Sequence, residues 1–188
     1  IMDHETTIAP AMNTGQHAFT VMFNYNLAVL NNAATSELAG EFALALMPGE
    51  THECYGFAKM YNMTQMAVDR GDATIEASGN FIQYFGGEVD GVFQVAKLWA
   101  VDQGLGFAQI PLTEDPEVIE AFSQWVDVDL WREQLALARA RRQAIWYGIF
   151  AETFNPLLGQ ALNGEISAEE ALQAAADEWN TLKEQVQG

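Results

Sequence analysis

Gln143-Ala144-Ile145-Trp146-Tyr147-Gly148-Ile149-Phe150-Ala151-Glu152-Thr153-Phe154-Asn155-Pro156-Leu157-Leu158-Gly159-Gln160-Ala161-Leu162 carries an unbroken helical period. Trp146, Phe150, Phe154, Leu157 and Ala161 fall on one face, so a long helix with one apolar stripe is expected, kinked at Pro156, which removes a backbone donor and crowds the Glu152 carbonyl. Asn163-Gly164 supplies its stop, because glycine adopts the left-handed conformation that closes a helix. Ser167-Ala168-Glu169-Glu170 then has the spacing of a capping box and opens a last helix, with Leu172, Ala175, Trp179 and Leu182 expected inward.

Upstream, the same period recurs over Leu130 to Ala138, and Pro116 suits the first turn of a helix reaching Val126. Pro111 and Pro116 frame a loop. Val89 to Asp102 carries an apolar stripe that ends before Gly104, and Asp72 opens a helix ending at Gly86-Gly87. Before residue 72 the pattern changes. Ala18-Phe19-Thr20-Val21-Met22-Phe23 and Phe42-Ala43-Leu44-Ala45-Leu46-Met47 are rich in aromatic and apolar residues and read as strands. A third strand is expected from Phe57 to Met63. Short helices are expected from Thr6 to Gly15 and over residues 25 to 31. The order is α/β first, then helices alone.

The chain has 188 residues and is 49% apolar, ample for a packed core. Its 8 basic and 26 acidic side chains give a net charge of −18. Such a field repels nucleic acid and anionic membranes, so neither is an expected partner. The one cysteine, Cys54, makes no internal disulfide. No apolar run reaches the roughly 18 residues that a membrane span requires. Ile1-Met2-Asp3-His4-Glu5 has neither the basic nor the apolar region of a secretory leader, and the numbering is expected to start inside a longer chain.

Several segments, in order, resemble the C-terminal half of the periplasmic solute-binding proteins of ABC importers, above all the maltose-binding and other sugar-binding members. Met12-Asn13-Thr14-Gly15-Gln16-His17-Ala18-Phe19 resembles that family's F-x-x-G-x-x-A-M segment, with Asn24-Tyr25 where a strand delivers an aromatic residue to the cleft. Gly40 to Gly49 resembles a strand ending in Pro-Gly. Cys54-Tyr55-Gly56-Phe57 falls at the family's Gly-Gly-aromatic turn, and Ala77 to Phe85 resembles the helix that follows. Gln143 to Tyr147 matches a late helix whose tryptophan stacks on sugar rings, and Asn163 to Leu172 resembles the closing G-x-x-S-x-E-E-A-L signature. Two departures stand out: Tyr55 replaces the first glycine of the usual pair, and the Met-rich segment from Phe57 to Arg70 is long.

The resemblance implies an α/β, type II two-lobe architecture of which this chain is the C-terminal part, ending in several helices. Residues 1–50 would supply strands and a helix of the C-lobe with a crossover. Residues 51–110 would return through the N-lobe, and 111–188 would form the C-lobe's helical end. It further implies capture of a mono- or oligosaccharide in the periplasm or another extracytoplasmic setting, by a free protein or a membrane-anchored lipoprotein. The partners would be a membrane permease and the missing N-terminal segment of the same protein, with no cofactor, no metal and no enzymatic reaction.

The ligand-binding candidates are therefore Trp146, Tyr25, Asn24, Tyr55, Gly56, Phe57 and Arg142. An aromatic face stacks on the C–H face of a sugar while polar neighbours hold hydroxyls. The competing reading for Trp146 is core, as the start of its helix's stripe. Arg132, Arg139, Arg141 and Arg142 lie just before it, and an arginine fork suits an anionic sugar; the competing reading is pairing with the chain's acids. His52-Glu53-Cys54 points to alternate faces of a strand and does not converge on a metal. Met60, Met63 and Met66 are expected to fill a core. No nucleophile elbow, P-loop or dinucleotide fingerprint is present. The rival classes are a carbohydrate-processing enzyme domain, which requires facing carboxylates with a raised pKa, and a structural interaction domain with Trp146 buried.

Overall fold

The computed structural model describes residues 5–56, 60–140 and 144–187. It is mostly helical, 58%, with one small two-stranded parallel sheet. By backbone proximity the described residues form two compact units, residues 5–140 and residues 144–187.

In the larger unit, α1 (Glu5–Met12) and α2 (Asn24–Leu30) are followed by a long irregular stretch, then by β1 (Cys54–Tyr55). Next come α3 (Gln65–Asp69), α4 (Asp72–Gly86), α5 (Gln94–Gln103), a 3-10 turn (Ile110–Glu114), α6 (Pro116–Ser123), α7 (Val128–Ala136) and β2 (Ala138–Arg139). The strands pair in parallel, Cys54 with Ala138 and Tyr55 with Arg139.

Helix boundaries follow local chemistry. Pro116 occupies the first turn of α6, and the Asp115 side chain accepts from the Glu117 and Val118 N–H groups. Asp127 caps α7 in the same way, from Asp129 and Leu130. Gly104 ends α5 at φ +63°, where a Cβ would stand 2.7 Å from that of Ala28. Both the left-handed turn and the close packing of α5 on α2 thus demand glycine at that position.

The core is built on Phe122, which is 0% exposed. Its ring lies 4.7 Å from Trp125, 4.9 Å from Trp131 and 6.1 Å from Phe107, centroid to centroid. Leu27, Ala100, Leu112, Val118 and Val126 complete this cluster, and Phe42 and Leu44 pack against it. Ala9, Met12 and Leu30 form a second, smaller cluster.

The smaller unit is a helical hairpin of α8 (Tyr147–Leu162) and α9 (Ala168–Gln187). Gly164, at φ +75°, ends α8, and Glu165 N–H returns to the Gln160 carbonyl at 2.9 Å. The capping box forms as expected: Glu170 N–H donates to Ser167 Oγ at 3.1 Å, and Ser167 N–H donates to Glu170 Oε2 at 2.9 Å. These bonds hold the Glu170 carboxyl below its ordinary pKa, the backbone donor first and the Ser167 hydroxyl second.

Several expectations need correction. Ala18–Phe23 is not a buried strand; it is irregular, and Phe19 is 89% exposed. Phe42–Met47 is not a strand either, although its side chains alternate between half-buried and exposed. A strand exists only through a neighbour that completes its ladder, and none pairs with either segment among the described residues. Of the expected strand from Phe57 to Met63, residues 57–59 lie outside the described set and 60–63 are irregular. Met60 and Met66 are exposed rather than core. On α9 Ala175 and Leu182 are buried as expected, but Leu172 is 62% exposed and its neighbour Ala171 is buried instead.

Phe122→Ala is expected to cost about 3–5 kcal/mol, since four rings meet there and the cavity cannot close. Urea unfolding of the variant measures it; a loss below about 1 kcal/mol would contradict the assignment of Phe122 as the hub.

Candidate functional site

Trp146 belongs to the hairpin unit, immediately before α8. Its ring is half-buried and meets Trp179 edge-on, 5.5 Å between centroids at 66°. Phe150 stands perpendicular to Trp179 at 5.0 Å and stacks on Phe154 at 5.4 Å. The Trp146 indole N–H is buried and finds no acceptor among the described residues. Asn26 Nδ2, inside α2, is the other such donor. An unmet buried donor costs about 1–3 kcal/mol, so each is a place where an oxygen would be welcome.

The other candidates lie in the larger unit. Asn24 opens α2, and its Nδ2 donates to the Gly104 carbonyl at 3.0 Å. That bond ties α2 to the end of α5. Tyr25 is half-buried and stacks on Phe23 at 6.0 Å, nearly parallel. Tyr55 is more than half exposed on β1. Gly56 provides a close approach, but to protein: a Cβ there would stand 2.7 Å from the Ala138 Cβ. Its N–H donates to the Arg139 carbonyl at 2.9 Å, extending the β1–β2 ladder. Asn24 and Gly56 thus reach different parts of the unit, Gly104 and Ala138. Phe57 and Arg142 lie outside the described residues.

Two of the clustered arginines have partners in the protein. Arg132 donates to the Thr113 carbonyl at 2.6 Å and pairs with Glu114 at 3.3 Å and Asp129 at 3.5 Å. Arg139 pairs with Glu53 at 3.2 Å. His52, Glu53 and Cys54 reach different partners, although only Cys54 lies in a strand and His52 has a left-handed backbone, φ +52°. His52 Nδ1 meets the Met47 carbonyl, Glu53 meets Arg139, and Cys54 Sγ donates to the Gln134 carbonyl at 3.6 Å.

One arrangement was hidden from the sequence. A shallow hollow of about 420 Å3 opens between α4, α5 and α6, lined by Tyr84, Gln94, Lys97, Leu98, Asp102 and Glu117. Lys97 Nζ sits 2.9 Å from Asp115 Oδ2 and 3.0 Å from Glu117 Oε1. Hydrogen bonds to Asp115 and then Glu117 raise the Lys97 pKa against the opposing effect of burial. Burial pushes Asp115 up, but the Lys97 hydrogen bond and the Val118 and Glu117 N–H groups together outweigh it and hold the carboxyl low. Lys97 and its partners are far apart in sequence, and the only local signal was Asp115 as a helix cap.

Among the described residues, no group of three or more His, Cys, Asp or Glu side chains is arranged to hold a metal ion, and no helix is long and apolar enough to cross a membrane. No protein-family model matches the chain, and comparisons with curated proteins and with solved structures return no match.

Asp115→Asn keeps a capping oxygen and removes the charge. A carboxyl held low stabilises the fold above its unfolded pKa, near 3.9, and loses that contribution as pH falls through the folded value. The variant should therefore be about 1 kcal/mol less stable near neutral pH, and the deficit should vanish in acid. Lys97, held high, contributes below its unfolded pKa, near 10.4, and loses its contribution as pH rises through the folded value. Denaturant titrations of both forms across pH measure the two limbs; a deficit independent of pH would refute the ion pair's role.

Proposed function

We propose that the chain captures a small solute outside the cytoplasm, a mono- or oligosaccharide, and serves an ABC importer as the C-terminal part of a type II two-lobed binding protein. Closure about a hinge would present the loaded form to the permease. Trp146 is the observation that carries this reading. It is a half-buried indole, beside Trp179, with a buried N–H that lacks an acceptor among the described residues. A sugar offers what such a group lacks: hydroxyl oxygens for the N–H and an apolar C–H face for the ring. The ordered set of segments resembling sugar-binding members supports the same ligand class.

Titration calorimetry and thermal unfolding of the full chain against neutral sugars, polyols and sugar acids test the proposal. A saturable heat with a raised melting temperature is expected from at least one sugar. Trp146→Phe, which keeps a ring and removes the donor, should weaken that binding by about tenfold. Silence across the whole panel, or full affinity in Trp146→Ala, would sink it.

A further inference from the structure

Phe42–Met47 is fixed at both ends and open in the middle. At its start, Asn31 Nδ2 donates to the Phe42 carbonyl at 2.8 Å and to the Trp125 carbonyl at 2.9 Å, while Gly40 N–H donates to Asn31 Oδ1 at 3.0 Å. At its end, Met47 N–H donates to Gln134 Oε1 at 2.7 Å, and Gln134 Nε2 donates to the His52 carbonyl at 2.9 Å. Between these two clamps, the backbone groups of Ala43 to Leu46 hydrogen-bond to nothing among the described residues. Side chains alternate, Phe42, Leu44 and Leu46 half-buried and Ala43 and Ala45 exposed, which is the period of a strand. Phe42 and Leu44 are seated on the Phe122 cluster. The segment has a strand's side-chain pattern and a strand's anchorage, but no ladder.

Alongside it runs a groove of about 780 Å3 between Gly40–Leu44 and the α6–α7 junction, with Phe42, Leu44, Ile119, Trp125 and Leu130 in its walls. Asp127 and Asp129 also line it, the latter with its side chain 95% exposed. The basic residue in the lining, Arg132, is already engaged by Thr113, Glu114 and Asp129. Unpaired backbone beside an apolar groove is the arrangement that accepts an added strand.

We propose that this edge docks an extended peptide segment of a partner protein, one that alternates apolar and basic side chains. Backbone groups of Ala43 to Leu46 complete a ladder with the peptide. Its apolar side chains enter the groove, and its basic ones face Asp127 and Asp129. A second copy of this chain is the poorer occupant, since each copy carries a charge of −18 and the copies repel. This docking does not depend on solute capture, and Trp146 takes no part in it.

The probe is a short peptide alternating valine and lysine, titrated into the full chain at moderate salt and followed by calorimetry and sedimentation. Saturable one-to-one binding to a monomer is expected. Methylating alternate peptide amides, or Ala45→Pro in the protein, removes ladder bonds and should weaken binding by about tenfold. Ala45 is exposed and outside any helix, so the circular dichroism of Ala45→Pro should match the parent. Asp129→Asn changes only a side chain that is 95% exposed, and should weaken the lysine peptide severalfold with the circular dichroism of the parent. Equal binding by the methylated peptide or by a valine–glutamate peptide would overturn the proposal, as would a chain that fills the edge by dimerising, or no binding at all.

Discussion

Four aromatic rings meeting at Phe122 set the geometry on which the larger unit depends. Phe122 is on α6, Trp125 just beyond it, Trp131 on α7 and Phe107 on the approach to the 3-10 turn. Large flat groups in van der Waals contact tolerate few relative positions, so the directions of α6 and α7 are fixed by this contact. Leu27, Ala100 and Leu112 pack α2, α5 and the 3-10 turn onto that frame, and single polar side chains add further ties. Asn31 joins Phe42 and Trp125, Gln134 joins Met47 and His52, and Asn24 joins α2 to Gly104. Each amide satisfies backbone groups that have no ladder or helix to meet, which is how so long an irregular stretch between α2 and β1 is held in place.

The helices were legible because their signals are local. Pro116, Ser167 with Glu170, and Gly164 each act within a few residues of themselves, and each appears where the sequence placed a helix end, whereas α7 opens at Asp127 and not at Leu130, and Ala138 leaves it for β2. Strands were not legible, for the opposite reason. Ala18–Phe23 and Phe42–Met47 have β-type composition, but composition names a preference and a ladder needs a neighbour. The strands that do form, Cys54–Tyr55 and Ala138–Arg139, have only two residues each and are joined from distant parts of the chain. Leu172 illustrates a finer limit: Ala175 and Leu182 are buried as the period of α9 requires, but in the first turn Ala171, and not the leucine beside it, is the buried residue.

Among the candidate groups, sequence position separated residues by type better than by role. Asn24 and Gly56, both singled out for a ligand, serve the fold: one ties α2 to α5, and the other admits Ala138 beside β1. Trp146 keeps features of both readings, packed against Trp179 yet with its donor unmet. The Lys97 pair with Asp115 and Glu117 could not be anticipated, because nothing in the local sequence of Lys97 distinguishes it from a solvated lysine.

The five tryptophans are divided between the units, with Trp99, Trp125 and Trp131 in the larger and Trp146 and Trp179 in the hairpin. Two indoles 5.5 Å apart and steeply inclined are close enough for their excited states to couple, so the hairpin carries its own chromophore pair. The near-ultraviolet dichroism of that pair would vanish when α8 and α9 separate, whether or not the rings around Phe122 remain together. Each unit therefore comes with a built-in optical reporter, and loss of structure in one can be timed against the other without any label.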